Sequence, residues 1–283
     1  MDEGRTTGDV VYAGEPGAFA EDAVIAAFGD VGRTAVGSFR QVFEAVAAAD
    51  GSAAGVIPIE NVVNGTVREN YDLLLEHDLE IVGEVVVPVR LCLAALPGQH
   101  VDDIERVYSH IQALGQAEAF LRTRPWQLLT TYNTAGAGKS IVEREERGAA
   151  AVLSPRAAAL FGLEVLADGI QDVADNRTRF LVLARAGETG LRPGGGAART
   201  TLALAVRNEP GTLLAVLEVF ARHGLNMSKL ESRPSRERAW EYVFWVDLDA
   251  DANAAETRAA LEELGGVTTL LRVLGSYLRG EGG

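Results

Sequence analysis

The chain has 283 residues, 47% of them hydrophobic and 23% charged, a globular composition long enough for one large domain or two modest ones. Forty acidic against twenty-six basic residues give a net charge of −14, which repels phosphate backbones and anionic lipid and speaks against nucleic-acid or membrane binding. One cysteine, Cys92, and four scattered histidines (His77, His100, His110, His223) exclude an intrachain disulfide and argue against a zinc centre. With no apolar run near the roughly 20 residues of a membrane span, a cytoplasmic enzyme or ligand-binding protein is expected.

The opening MDEGRTTGD is polar and acidic and has no signal-peptide core. After it, short β-type runs fall at 10–12, 54–59, 81–87, 91–96, 127–131, 150–153, 164–166 and 179–183. Between them, Phe39/Val42/Phe43/Val46 and Val67/Tyr71/Leu74/Leu75 repeat at helical spacing. Strand–helix alternation over this length predicts an α/β fold with covered sheets. Ligands in such folds sit at strand C-termini beside helix N-termini. Residues 186–197, AGETGLRPGGGA, suit neither a helix nor a central strand and read as a linker. Up to residue 197 the chain holds 16 basic and 28 acidic residues, and beyond it 10 and 12. The excess negative charge therefore lies before the linker. After the linker the order is strand (200–206), helix (212–223), strand (226–233), strand (240–248), helix (254–264) and strand (267–274). That is a ferredoxin-like βαββαβ pattern.

Several polar clusters sit at element junctions. Gly14-Glu15-Pro16-Gly17-Ala18-Phe19 joins the first strand to a helix, as a plain turn or a carboxylate site built from free N–H groups. Glu60 and Asn61 end a strand and suit either ligand orientation or a turn in which Asn64-Gly65 supplies positive φ. Ser109-His110-Ile111-Gln112 and Tyr132-Asn133-Thr134-Ala135 each lead from a strand into a helix, as caps or as ligand contacts. The densest cluster is Asp175-Asn176-Arg177-Thr178-Arg179-Phe180, at the entrance of an apolar strand. There Arg179 can hold a carboxylate bidentately, and Thr178 can give a hydrogen bond or a proton to a leaving hydroxyl; an exposed turn with a surface ion pair is the alternative.

Taken in order, Gly14 to Phe19, Pro58-Ile59-Glu60-Asn61, Ser109-His110-x-Gln112-Ala113-Leu114-x-Gln116, Thr134-Ala135 and Asn176-x-Thr178-Arg179-Phe180 resemble the prephenate dehydratase family. The stretch from Asn70-Tyr71-Asp72 to Glu84 is also similar to the related arogenate dehydratases. Asn208-Glu209-Pro210-Gly211-Thr212-Leu213-Leu214 and Asn226 to Pro234 resemble an ACT regulatory domain. Val62, Ile111 and Ala117 stand where the family usually has Ser or Thr, Pro and Cys.

The resemblance implies a two-lobed, periplasmic-binding-protein-like (type II) catalytic domain over 9–186, a linker over 187–198 and a ferredoxin-like ACT domain over 199–279. It implies decarboxylating dehydration of prephenate to phenylpyruvate under allosteric control by phenylalanine, without metal, nucleotide or electron carrier. Arogenate as the substrate, or a non-catalytic amino-acid sensor, are the alternatives. Thr178 and Arg179 are the implied catalytic residues. Glu60, Asn61, Ser109, His110, Gln112, Asn133, Thr134, Asn176 and Phe180 are the implied substrate-binding ones. Gly211, Thr212, Leu213, Leu214, Asn226, Glu231, Ser232, Arg233 and Pro234 are expected to bind phenylalanine between two subunits, so a homodimer or homotetramer is expected.

Overall fold

The computed structural model describes residues 9–49, 53–188, 193, 195–234 and 242–280. Residues 1–8 of the polar opening, 189–192 and 194 of the expected linker, and 240–241 of an expected strand lie outside the described residues.

The first lobe contains β1 (Val10–Ala13), α1 (Phe19–Phe28), β2 (Arg33–Val36), α2 (Phe39–Ala48), β3 (Ala54–Asn61), β4 (Gly65–Thr66), α3 (Arg68–Glu76) and β5 (Leu79–Pro88). The second contains β6 (Cys92–Ala95), β7 (Arg106–Ser109), α4 (Ile111–Gln116), α5 (Glu118–Leu121), β8 (Gln127–Thr130), α6 (Thr134–Glu143), β9 (Ala149–Leu153), α7 (Pro155–Leu160) and β10 (Glu164–Asp168). The chain then returns to the first lobe as β11 (Arg177–Arg185). The first sheet runs β2-β1-β3-β11-β5 and the second β10-β6-β9-β7-β8. In the first, β1 pairs β2 and β3 in parallel and the returning β11 pairs antiparallel with β3 and β5; in the second, β7 pairs β8 and β9 in parallel and β6 pairs antiparallel with β9 and β10. Strand β2 escapes the apolar-run reading because it is a half-exposed edge with only Ala35 and Val36 apolar.

Two crossings therefore connect the lobes, and they bond to each other. Val89 N–H donates to the Asn176 carbonyl at 2.7 Å and Ile170 N–H to the Leu91 carbonyl at 3.0 Å. The chain thus forms two lobes joined by two crossings. The lobes also meet where α1 faces α7. There Ser154 caps α7 and donates to the Gly17 carbonyl, and a Cβ on Gly17 would strike Ala157. Glu21, buried on α1, accepts from Gly17 N–H, Arg33 and Arg156 at 2.6–2.7 Å. Burial raises its pKa, but these three donors outweigh it and hold the carboxyl at about 2.

The third unit is β12 (Ala198–Ala205), α8 (Thr212–Arg222), β13 (Met227–Pro234), β14 (Tyr242–Leu248), α9 (Ala255–Val267) and β15 (Leu270–Leu278), a βαββαβ unit with sheet order β13-β14-β12-β15. One face of its sheet packs on α8 and α9 through Leu202, Leu204, Val246 and Phe220. The opposite face shares a core with the first lobe: Ala203, Val243, Trp245, Leu274 and Tyr277 belong to one buried cluster with Tyr71, Leu74, Ile81 and Leu181. Trp245 meets Tyr71 edge-on at 4.6 Å, a geometry that adds about 1 kcal/mol to the burial itself. Gly275 permits the approach, since a Cβ there would collide with the Ile81 carbonyl of β5. Among the described residues no helix is long and apolar enough to cross a membrane.

Candidate active site

A cleft of about 640 Å³ opens between the lobes. Four helices of nine or ten residues begin on it: α1 at Phe19, α2 at Phe39, α3 at Arg68 and α6 at Thr134. First-turn N–H groups lack intrahelical partners and carry partial positive charge, so converging helix starts favour an anion. Ser38 and Asn133 cap α2 and α6 by accepting from Gln41 N–H and Gly136 N–H, while α1 and α3 have no side-chain cap. Arg68 is the one Arg or Lys among the described residues lining the cleft. A cation at a helix start opposes the dipole; Glu69, in the same first turn of α3, offsets it and also lines the cleft.

At the floor, β3 and β11 run antiparallel with Asn61 opposite Thr178. The Asn61 side-chain oxygen accepts from the N–H groups of Val63 and Asn64 at 3.0 and 2.9 Å. That fixes the amide so that Nδ2 faces β11, within 2.8 Å of Asn176 Oδ1 and 2.9 Å of both the Arg177 carbonyl and Thr178 Oγ1. With Oγ1 accepting from Asn61, the Thr178 hydroxyl proton is left for a group in the cleft. Thr178 and Phe180 both line the cleft, as strand alternation requires of residues two apart.

The second lobe contributes His110, Gln112, Gln116, Tyr132, Asn133 and Thr134. His110 caps α4 by accepting Gln112 N–H on Nδ1 at 3.3 Å. Burial lowers its pKa, so near neutrality the ring is uncharged and offers Nε2–H as a donor. Tyr132 and Lys139 reach across the cleft mouth to Glu15 of the first lobe at 2.8 and 3.0 Å. The Lys139 hydrogen bond lowers the Glu15 pKa.

Of the eleven residues expected at the substrate site, Asn61, His110, Gln112, Asn133, Thr134, Thr178 and Phe180 line the cleft together. Four expectations are corrected. Arg179 points to the opposite face of β11, where Nε donates to Glu84 (2.7 Å), Nη1 to Asp247 (2.6 Å) and Nη2 to the Tyr277 hydroxyl (2.9 Å). Burial alone would lower its pKa; Tyr277, Asp247 and Glu84 raise it, and no donor faces the cleft. Glu60 alternates with Asn61, lies on that same outer face and pairs with Lys229 at 2.7 Å. Ser109 is fully buried and gives its hydroxyl to the Val152 carbonyl at 2.6 Å, tying β7 to β9. Asn176 lies behind the cleft, 2% exposed, and orients Asn61. Val62 is 68% exposed and outside the cleft lining, so the hydroxyl usual there in the family would not face the ligand space. Ser38 and Arg68 were missed; a cap signal and an arginine in a helix's first turn mark them in the sequence.

In the third unit, Gly211 (φ 86°), Thr212, Leu213 and Leu214 line a hollow of about 220 Å³ with Tyr242 and Phe244. Asn226 does not reach it and donates to Asp249 at 2.7 Å. Along β13 the side chains alternate. Glu231 and Arg233 turn toward the first lobe, where Glu231 accepts from Thr66 at 2.7 Å and Arg233 grips Asp72 and the Arg68 carbonyl. Ser232 and Pro234 are exposed on the other face. Within this chain both the Glu231 and Arg233 side chains bond to the catalytic lobe.

The prephenate dehydratase family model matches residues 10–188, and the ACT domain model matches 200–266. Among characterised relatives, the bifunctional chorismate mutase/prephenate dehydratase of Aquifex aeolicus is 39% identical, over 95% of this chain and 73% of that protein. Arogenate dehydratase 5 of Arabidopsis thaliana is 40% identical, over 95% and 67%. Two solved structures superpose over 96% of this chain. GqqA, described as a novel type of quorum quenching acylase, has a TM-score of 0.86 at 30% identity, over 98% of its length. Prephenate dehydratase from Arthrobacter aurescens, in complex with L-Phe, has 0.85 at 31% identity, over 90% of its length. By both sequence and structure, this chain belongs to the prephenate dehydratase family.

Proposed function

We propose that the chain converts prephenate to phenylpyruvate, carbon dioxide and water in phenylalanine biosynthesis, with arogenate, which would give phenylalanine directly, as the alternative substrate. The observation that carries this reading is the Thr178 hydroxyl, fixed by Asn61 with its proton free at the floor of an anion-attracting cleft. In the reaction the bond from the ring to its carboxylate breaks, and its electron pair enters the ring. The carbon–oxygen bond at the opposite ring position breaks in turn, and hydroxide departs as water. Aromatisation supplies the driving force. A threonine hydroxyl has no useful acidity near neutral pH, so Thr178 acts by hydrogen-bonding the departing oxygen, and the proton that makes it water comes from solvent.

The substrate's two carboxylates are held by Arg68, by the starts of α1, α2 and α6, and by Asn133 and Thr134. His110 and Gln112 donate from the second lobe. With a net charge of −14 on the chain, long-range attraction of a dianion is excluded, and affinity rests on these local donors in a low-dielectric cleft. Residues 9–186 carry catalysis, 187–198 connect, and 199–279 regulate. L-phenylalanine binds in the hollow at Gly211–Leu214, which is completed by a second copy that presents the exposed Ser232 and Pro234. The assembly is a homodimer or a dimer of dimers acting in the cytoplasm.

The test is incubation of the purified full chain with prephenate and, separately, arogenate, with and without L-phenylalanine. Phenylpyruvate or phenylalanine should form at a rate that changes with the effector. Turnover of neither substrate overturns the reading.

A further inference from the structure

We propose that Arg179 is a positioning residue, through which the third unit's sheet sets the place of the Thr178 hydroxyl; the proposal rests on the dehydratase reading above. The two residues are neighbours on β11 but face opposite ways. Thr178 lines the cleft, and the Arg179 side chain, 14% exposed, is clamped between Glu84 of β5, Asp247 of β14 and Tyr277 of β15. Its partners are themselves fixed. Glu84 takes two hydrogen bonds from Arg199 of β12, and Thr201 of β12 bonds both Asp247 and Tyr277 at 2.7 and 2.8 Å.

Two guanidiniums and two carboxylates thus form a buried, neutral network of which only Glu84 and Arg179 belong to the catalytic lobes. A network of this kind contributes little net stability against an apolar filling, but leaving one of its members unpaired is costly. The register of β11 against β3 shifts between Arg179 and Phe180. The extra residue, Ile59, is on β3, and the ladder from β11 to β5 runs unshifted from Arg177 to Val182. To these ladders Arg179 adds a side-chain anchor that ties β11 to the third unit beside Thr178. A shift of the third sheet relative to the first lobe would therefore move the hydroxyl and leave the starts of α1 and α6 in place, whereas the start of α3 is itself tied to β13 through Arg233.

The test uses two full-length variants that do not touch the cleft lining. Tyr277→Phe deletes one hydroxyl and keeps the ring in the shared core; Arg179→Lys keeps the charge but cannot span three partners. Both should lower kcat for prephenate by about tenfold or more with KM within about threefold, as misplacement of a reacting group does. Amide exchange over 177–180 should quicken in Tyr277→Phe while the thermal transition stays near that of the parent. A folded Tyr277→Phe with kcat within about twofold of the parent overturns the proposal, whatever the exchange shows. If the parent itself turns over neither prephenate nor arogenate, the dehydratase reading falls separately. The exchange at 177–180 then decides alone whether Arg179 holds this strand, and unchanged exchange overturns that.

Discussion

Replacing Thr178 by Val keeps the shape of the cleft floor and removes only the hydroxyl. The Asn61 Nδ2 group carries two hydrogens and has three acceptors within 2.8–2.9 Å. Without Oγ1, Asn176 Oδ1 and the Arg177 carbonyl still accept both, so no buried donor is orphaned. Stability should therefore change by less than about 1 kcal/mol. Turnover should suffer far more, because one prepositioned donor to a developing negative oxygen is worth about 10²–10³ in kcat, or roughly 3–4 kcal/mol. The KM for prephenate should move little, since the carboxylates are held elsewhere. Thr178→Ser restores the hydroxyl and should recover to within about tenfold of the parent. The assay pairs phenylpyruvate formation with urea unfolding of the same samples. A stably folded Thr178→Val enzyme retaining a tenth or more of the parent kcat would refute the assigned role.

Arg68→Gln should raise the KM for prephenate by about tenfold with kcat within about threefold, because it removes a counter-charge felt equally in ground and transition states; steady-state kinetics showing an unchanged KM would remove Arg68 from the site. Glu21 sits at the lobe contact with its pKa lowered from 4.5 to about 2, so it contributes roughly 3 kcal/mol that is fully present above 4.5 and lost as pH falls through about 2. Urea midpoints measured through that window should fall steeply for the parent and more shallowly for Glu21→Gln, and parallel profiles would contradict the assignment. Deleting residues 198–283 should not yield a merely unregulated enzyme. It strips Trp245 and Leu274 from the core shared with Tyr71 and Ile81 and leaves buried Glu84 without Arg199. Insolubility or loss of the cooperative thermal transition is expected, and a soluble, cooperatively melting fragment would show that the first lobe does not depend on the third sheet.

Element types and order were legible in the residues because they follow local periodicity: apolar runs for the buried strands, helical spacing at Val42/Phe43/Val46 and the βαββαβ tail. The cleft residues at strand-to-helix junctions, from Asn61 to Thr134, were legible for the same reason, since such junctions carry caps and free N–H groups wherever they occur. Thr178-Arg179-Phe180 and Glu60-Asn61 could also have been divided by strand alternation into two faces. What the chain order did not disclose was which face meets the ligand. That choice depended on the third sheet packing over the outer face of β11 and β3, which turned Arg179 and Glu60 into interface residues. Ser109 was withdrawn from the site by the pairing of β7 with β9, some forty residues on, and Arg68 entered it because four separate helices begin around one cleft. Periodicity is a property of neighbouring residues and can be read along the chain. Facing and convergence are set by contacts between distant segments, so the tertiary structure alone decided which charged groups remain free to bind a substrate.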